Sequence, residues 1–275
     1  MVSQNYKFGK VSKEEVKEQF YPTDSTAVAA YLYKKRRSYF SFDQSTGWFK
    51  LITDIHQRIK IYKKEGFNYA NHSIVHYTPK SGDRERIYKI KGYTYNLENG
   101  KVISEKLSKD NIFKEEINKY NSKIKITMPD VKEGSVLEIR YQISSPYATS
   151  IADVEFQKGI PIKKLESQIE IPEYYTFNKN SKGFLSLPMK VSFKNENVGN
   201  TRFNVEVITF EGRDIEALKN NEPYVANINN YRGGVKLELA QTDFVRIGGD
   251  FKNYSTTWET VSKQIFESPS FGDEL

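Results

Sequence analysis

Cysteine is absent from the 275 residues of this chain. That excludes a disulfide, a thiolate-ligated zinc and a thiol nucleophile within them, and it says nothing about redox compartment. No apolar run reaches the length of a membrane-spanning helix, and no signal-peptide core is present. Histidine is scarce, at three residues: His56, His72 and His76. The Gly-x-Ser-x-Gly elbow, the phosphate-binding loop and the dinucleotide glycine pattern are all missing. No motif selects a reaction.

What is present describes a folded, soluble, strand-rich chain. Hydrophobic residues make up 37% and charged residues 28%, and the aromatics, chiefly 19 Tyr and 17 Phe, favour strands over helices. The length accommodates one large β domain. Net charge is +7, with the basic residues spread through the predicted strands as a solvated sheet face requires. The one dense run is Lys34-Lys35-Arg36-Arg37, flanked by Tyr33 and Tyr39. Binding of nucleic acid needs such charge concentrated on one face beside stacking aromatics. A solvated turn between two strands explains the run as well, and no nucleic-acid partner is expected.

The clearest local pattern is Lys123 to Ile143. Ile124, Ile126 and Met128 alternate with Lys123, Lys125 and Thr127, Asp130 to Gly134 carry turn chemistry, and a second alternation follows, which together predict a β-hairpin. Asn99-Gly100 predicts another. Further strands are expected over 27–33, 55–61, 67–77, 86–95, 168–171, 187–193, 203–210 and 235–245. Ser12 with Glu15 forms a capping box flanked by Val11 and Val16, so a helix should run to about Phe20, pinned to the sheet by Val16 and Phe20. Residues 110–119 are the one internal stretch with helical character. Thr256 to Glu259 opens a terminal helix on which Trp258, Val261 and Ile265 share a face that needs something to pack against. The sum predicts a mainly β fold, an antiparallel β-sandwich or super-sandwich with a short helix at each end. It divides into a helical lead-in over 1–26, an antiparallel β domain over 27–250 and a helical segment over 251–275.

Candidate chemistry is thin. His72 and His76 on one strand lie about 13 Å apart, too far to share a metal. Glu138, Glu155 and Asp214 could be nominated as a carboxylate pair, but nothing selects two of them. Tyr174-Tyr175 and Tyr93 with Tyr95 are candidates for a sugar-stacking platform, although core packing uses the same residues. No catalytic, cofactor-binding or metal-ligating residue is assigned, and no cofactor is expected.

Several short motifs occur in order: Gln4 to Lys10, Met128 to Tyr141, Phe156 to Pro161, Ile171 to Tyr174, Glu222-Pro223-Tyr224 and Tyr254 to Trp258. Together they resemble the bacterial domain of unknown function that lies N-terminal to transglutaminase-like, papain-fold domains in envelope proteins. The resemblance covers nearly the whole chain. It implies an exported, periplasmic or envelope-located, non-catalytic accessory domain, its signal peptide removed and Gln4-Asn5-Tyr6 beginning the mature chain. Residues 251–275 would then lead into a transglutaminase-like domain, the implied partner, cut off at Leu275 with its Cys-His-Asp site beyond. Substrate for that domain would be recognised here, with the Glu222-Pro223-Tyr224 loop packing against it. A protein or glycan ligand is open on this reading, and an envelope carbohydrate-binding module is the alternative.

Overall fold

The computed structural model describes residues 6–198, 201–219, 224–254, 257–268 and 271. Its frame is an eight-stranded sheet built on two long strands, β1 (Ala29–Asp43) and β2 (Trp48–Ile61), which pair antiparallel along most of their length. The remaining strands of that sheet are β4 (Arg86–Glu98), β5 (Lys101–Lys106), β8 (Val136–Ser145), β10 (Ile162–Pro172), β12 (Met189–Val198) and β13 (Thr201–Ile215). Their order is β12-β13-β10-β1-β2-β8-β4-β5. One pair, β1 with β10, is parallel, because the chain crosses over before β10 instead of turning back. Asn99 and Gly100, at φ 48° and 75°, make the two-residue turn between β4 and β5 that their sequence predicts.

Two smaller sheets cover one face of this frame. The first contains β3 (Asn71–Tyr77), β6 (Ile112–Glu116) and β7 (Asn121–Thr127), in the order β3-β7-β6. The second contains β9 (Val154–Glu155), β11 (Tyr175–Lys182), β14 (Gly234–Asp243) and β15 (Phe251–Asn253). Each buries its own hydrophobic cluster. Ile59, Ile61, Leu137 and Ile139 pack with Ile74 and Ile126 under the three-stranded sheet, whereas Phe40, Phe49, Leu165 and Ile169 pack with Tyr175, Phe177 and Leu237 under the four-stranded one. Tyr31 touches both clusters. The architecture is the β-sandwich form that the strand pattern predicts.

Several local expectations need correction. The segments 121–127 and 136–145 are not a hairpin: β7 pairs with β3 and β6, while β8 pairs with β2 and β4 in the large sheet. The turn residues between them carry the chain from one layer to the other. Residues 110–119 form a short 3-10 turn and then β6, not a helix. The N-terminal helix α1 is confined to Lys13–Lys17, with the Ser12–Glu15 capping box in place; Val16 is buried, but Phe20 is 55% exposed and pins nothing.

The terminal helix α2 (Trp258–Phe266) is capped by Thr257, whose hydroxyl accepts from the Thr260 N–H at 3.3 Å. Thr256, the first residue of the capping pattern expected there, lies outside the described residues, as do Gln4, Asn5, Glu222, Pro223 and Leu275.

Candidate functional site

The basic run 34–37 is the key to the site, and it is not a turn. It lies in the middle of β1, where successive side chains alternate between the two faces of the sheet. Lys34 and Arg36 point toward the face bearing the small sheets. Lys35 and Arg37 point to the other, where Arg37 forms a two-point ion pair with Glu170.

On the first face, the stretch of frame between the two hydrophobic clusters is left uncovered by either small sheet. Along β2, Phe49 and Leu51 belong to one cluster and Ile59 and Ile61 to the other; Thr53, Ile55 and Gln57 lie between. There a cavity of about 470 Å³ opens. Its floor is Tyr31, Lys34 and Arg36 of β1, those β2 residues, Tyr141 and Ile143 of β8, and Leu165 and Ser167 of β10; its wall is the crossover segment holding Asp153, Glu155 and Lys158. That volume falls in the range of small-molecule sites, about 300–1,000 Å³, with the usual mixture of apolar walls and a few polar groups.

The charged groups are four cations, Lys34, Lys35, Arg36 and Lys158, and four carboxylates, Glu85, Asp153, Glu155 and Glu166. Arg36 Nη1 and Nη2 donate to the Asp153 and Ala152 carbonyls at 2.6 Å and 2.8 Å, and its Nε donates to Ser38 Oγ at 3.1 Å. Lys34 Nζ donates to the Glu155 carbonyl at 3.2 Å. Neither cation forms an ion pair with a carboxylate among the described residues, because Glu155 is bound by Lys158 and Asp153 by Lys182. Lys34 retains some surface toward the cavity, yet protein surrounds it, and the surroundings govern its charge. Burial, reinforced by Lys158 and only partly opposed by Glu155, pushes its ammonium down to about 7. Burial likewise raises the Tyr141 phenol to about 12. Ser167 is buried, and its hydroxyl finds no hydrogen-bond partner among the described residues.

The opposite face shows buried charge of another kind. Arg58 and Lys60, expected on a solvated face, are 1% and 0% exposed, because residues 6–22 lie across that side of the sheet. Arg58 donates to Glu138 Oε1 at 2.6 Å and 3.1 Å, to both Glu15 oxygens, and to the Lys7 and Lys10 carbonyls. Glu138 also accepts from the Gly9 N–H at 2.7 Å and from the Tyr95 hydroxyl, and it meets His56 Nε2 at 2.8 Å. Burial opposes the Glu138 charge, but the His56 contact and the Arg58 guanidinium outweigh it and hold its carboxyl below the usual range. Lys60 donates to the Val16 and Gly134 carbonyls. Every partner is structural. The cluster fastens the N-terminal segment to the sheet.

The other sequence candidates scatter. Glu138 lies in that lock, Glu155 lines the cavity on the far face, and Asp214 accepts from the Tyr21 hydroxyl at 3.2 Å, so no carboxylate pair is assembled. His72 and His76 lie on β3; burial pushes His72 down to about 4, which keeps it neutral. Tyr174, Tyr175 and Tyr95 are buried in the core. Tyr175 also borders an aromatic groove of about 270 Å³ whose other rings include Trp48, Tyr147 and Tyr254, with Trp48 57% exposed. Tyr224, of the loop expected to meet another domain, is fully exposed.

Comparison with known proteins adds the following. No curated protein matches this chain. Among solved structures, a putative protease from Parabacteroides distasonis superposes with a TM-score of 0.61 at 14% sequence identity, over 89% of this chain and 44% of that one. At that identity the likeness establishes a shared fold, and the chain spans less than half the length of that protein. A family model described as a domain of unknown function with solved structure, DUF3857, matches residues 51–219, more than half of the chain, and the chain therefore belongs to that family.

Proposed function

We propose that this domain is a non-catalytic accessory module of an exported, transglutaminase-like protein, and that it positions or recognises substrate for a domain following it in the parent chain. The observation that carries the reading is α2. Trp258, Ile265 and Phe266 are 86%, 52% and 74% exposed, an apolar surface on a well-capped helix that, among the described residues, meets only the Phe271 ring beside Phe266. The length of the matched protein, described as a putative protease, supports a further domain, and the missing cysteine places any thiol nucleophile outside these residues. The cavity between the small sheets is where substrate would be held. Export to the periplasm or cell envelope is part of the same proposal.

The test has two steps. This chain alone should show no turnover of peptide or amide substrates, and a longer native chain should lose kcat/KM toward its substrate when the cavity is altered. Turnover by this chain alone, or a reading frame ending at Leu275, would overturn the proposal.

The aromatic groove of Trp48, Tyr147 and Tyr254 favours a second reading, a carbohydrate-binding module, since exposed rings stack on apolar sugar faces. Saturable quenching of tryptophan fluorescence by a cell-wall glycan, lost in Trp48→Ala, supports it. No response across a broad panel removes it.

A further inference from the structure

The cavity contains an imbalance that packing does not explain. Burying a cation without a counter-charge is costly, and buried charges are ordinarily paired. Lys34 and Arg36 sit side by side on one face of β1 and bind only uncharged oxygens, the carbonyls of the crossover segment and the Ser38 hydroxyl. Their donor capacity is not exhausted. Lys34 makes one hydrogen bond with three donors to give, and Arg36 makes three with five. The Ser167 hydroxyl on the same floor is buried and unpartnered among the described residues. Around Lys34 the charged neighbours are Lys158, Arg36 and Glu155, two cations and a carboxylate already bound by Lys158. The four carboxylates that border the cavity are engaged elsewhere: Glu155 by Lys158, Asp153 by Lys182, Glu166 by Lys35 and Lys164, and Glu85 by the Tyr77 N–H. Among the described residues none of them forms an ion pair with Lys34 or Arg36, so these two cations have no counter-ion of their own.

The rest of the lining sets what kind of anion. Tyr31, Tyr141, Ile55, Ile143 and Leu165 give the cavity an apolar and aromatic wall. An inorganic ion would leave that wall in contact with water. An organic anion with an apolar body would cover it. A planar guanidinium beside an ammonium matches the two oxygens of a carboxylate.

We infer that the cavity between the two small sheets binds an organic carboxylate, its two oxygens received by Lys34 and Arg36 and its apolar body lying against Tyr31 and Tyr141. This deepens the recognition reading above and rests on it only for the claim that the ligand is part of a substrate.

The experiment is a calorimetric titration of this chain with N-acetyl-phenylalanine, its C-terminal amide and inorganic phosphate, followed by amide-proton NMR. Saturable binding of the carboxylate, with shifts confined to residues 31–36, 53–57, 141–143 and 165–167, is expected. The amide should bind at least roughly tenfold more weakly, the usual worth of a charge-assisted hydrogen bond. Lys34→Met should weaken the carboxylate by a similar factor while its thermal midpoint stays at or above that of the parent, and Ser167→Ala should retain the fold and weaken binding less. Equal binding of carboxylate and amide, unchanged affinity in Lys34→Met, binding of phosphate in preference, or no saturable binding of the carboxylate would each overturn the inference. Because activity is not read, a negative result leaves the accessory role to its own test. Binding here without any effect of the cavity on turnover in the longer chain would instead remove that role.

Discussion

Arg58→Met is the sharpest test of how the N-terminal segment is held. The substitution keeps an unbranched side chain of similar reach and removes the charge and every donor. It strands Glu138 and Glu15, 0% and 5% exposed at the side chain, as two facing carboxylates without a cation. Removing one partner of a buried pair costs about 3–5 kcal/mol. The loss is bounded from above, because residues 6–22 can peel away and readmit water to both carboxylates. For a chain of this size the change should lower Tm by roughly 6–20 °C. The pH dependence carries a sign as well. In the parent, Glu138 has its carboxyl held below the ordinary value, so its contribution is present above that value and is lost as pH falls through the lowered one. In the variant the same carboxylate is buried without its cation, and protonation relieves it. Acidification from about pH 7 to about pH 5 should therefore narrow the gap between variant and parent. Urea melts at the two pH values, with limited proteolysis to register release of the N-terminus, measure both effects. A loss below about 1 kcal/mol, the range of exposed pairs, or a gap that widens in acid would refute the assignment of this cluster as the fastening.

Other outcomes follow from single features. Gly183 has φ +67°, and a Cβ there would stand 2.3 Å from the Arg232 carbonyl oxygen, so Gly183→Ala should cost about 2–4 kcal/mol in denaturant unfolding. Replacing the exposed Trp258 and Phe266 of α2 with serine should leave stability within about 0.5 kcal/mol, since neither ring is buried; a larger loss would mean that the helix packs on this domain. His72, pushed down to about 4 by burial, should show no titration of its ring protons by NMR between about pH 5 and pH 8, and a midpoint near 6.5 would refute its burial. Lys34 titrates near 7 in the folded chain and near 10.5 unfolded, so the unfolded state holds the extra proton between those values and stability rises with pH across them. Lys34→Met should remove that slope and raise stability near neutral pH by on the order of 1–4 kcal/mol, as read by melts at matched pH.

Local sequence signals were reliable for turn and cap chemistry, and less so for helix extent, as residues 110–119 and the stretch from Glu18 to Phe20 show. The Asn99-Gly100 turn and the Ser12–Glu15 capping box are formed as their residues predict, and the alternation of Ile55, Ile59 and Ile61 marks a strand. The stretch from Lys123 to Ile143 shows the limit. Two amphipathic strands joined by turn residues look the same whether they pair or part, and only the competition of β3, β6, β2 and β4 for partners sends them to different sheets. The polar side of β2 was illegible for a related reason. His56, Arg58 and Lys60 alternate as on a solvated face, but what covers them comes from residues 43 to 51 positions earlier in the chain. The site itself had one visible signal. Four consecutive cations inside a strand must divide between its two faces, so Lys34-Lys35-Arg36-Arg37 could not all be solvated if both faces were covered. Reading the run as a turn concealed that.

The two buried charge clusters of the large sheet differ in a way that separates structure from recognition. Around Arg58 each donor meets an acceptor and each carboxylate meets a cation or a hydrogen-bond donor, and the strength of such a closed network is that it is saturated. It has no capacity left for a ligand. On the reverse face Lys34 and Arg36 hold only carbonyls and a hydroxyl, and burial pushes the Lys34 ammonium down to about 7. Lys34→Met, which removes the cost of burying that cation, is expected to fold more stably. On the proposed carboxylate reading, the lysine lowers stability in exchange for a charge facing the cavity, the trade of a site shaped by what it binds.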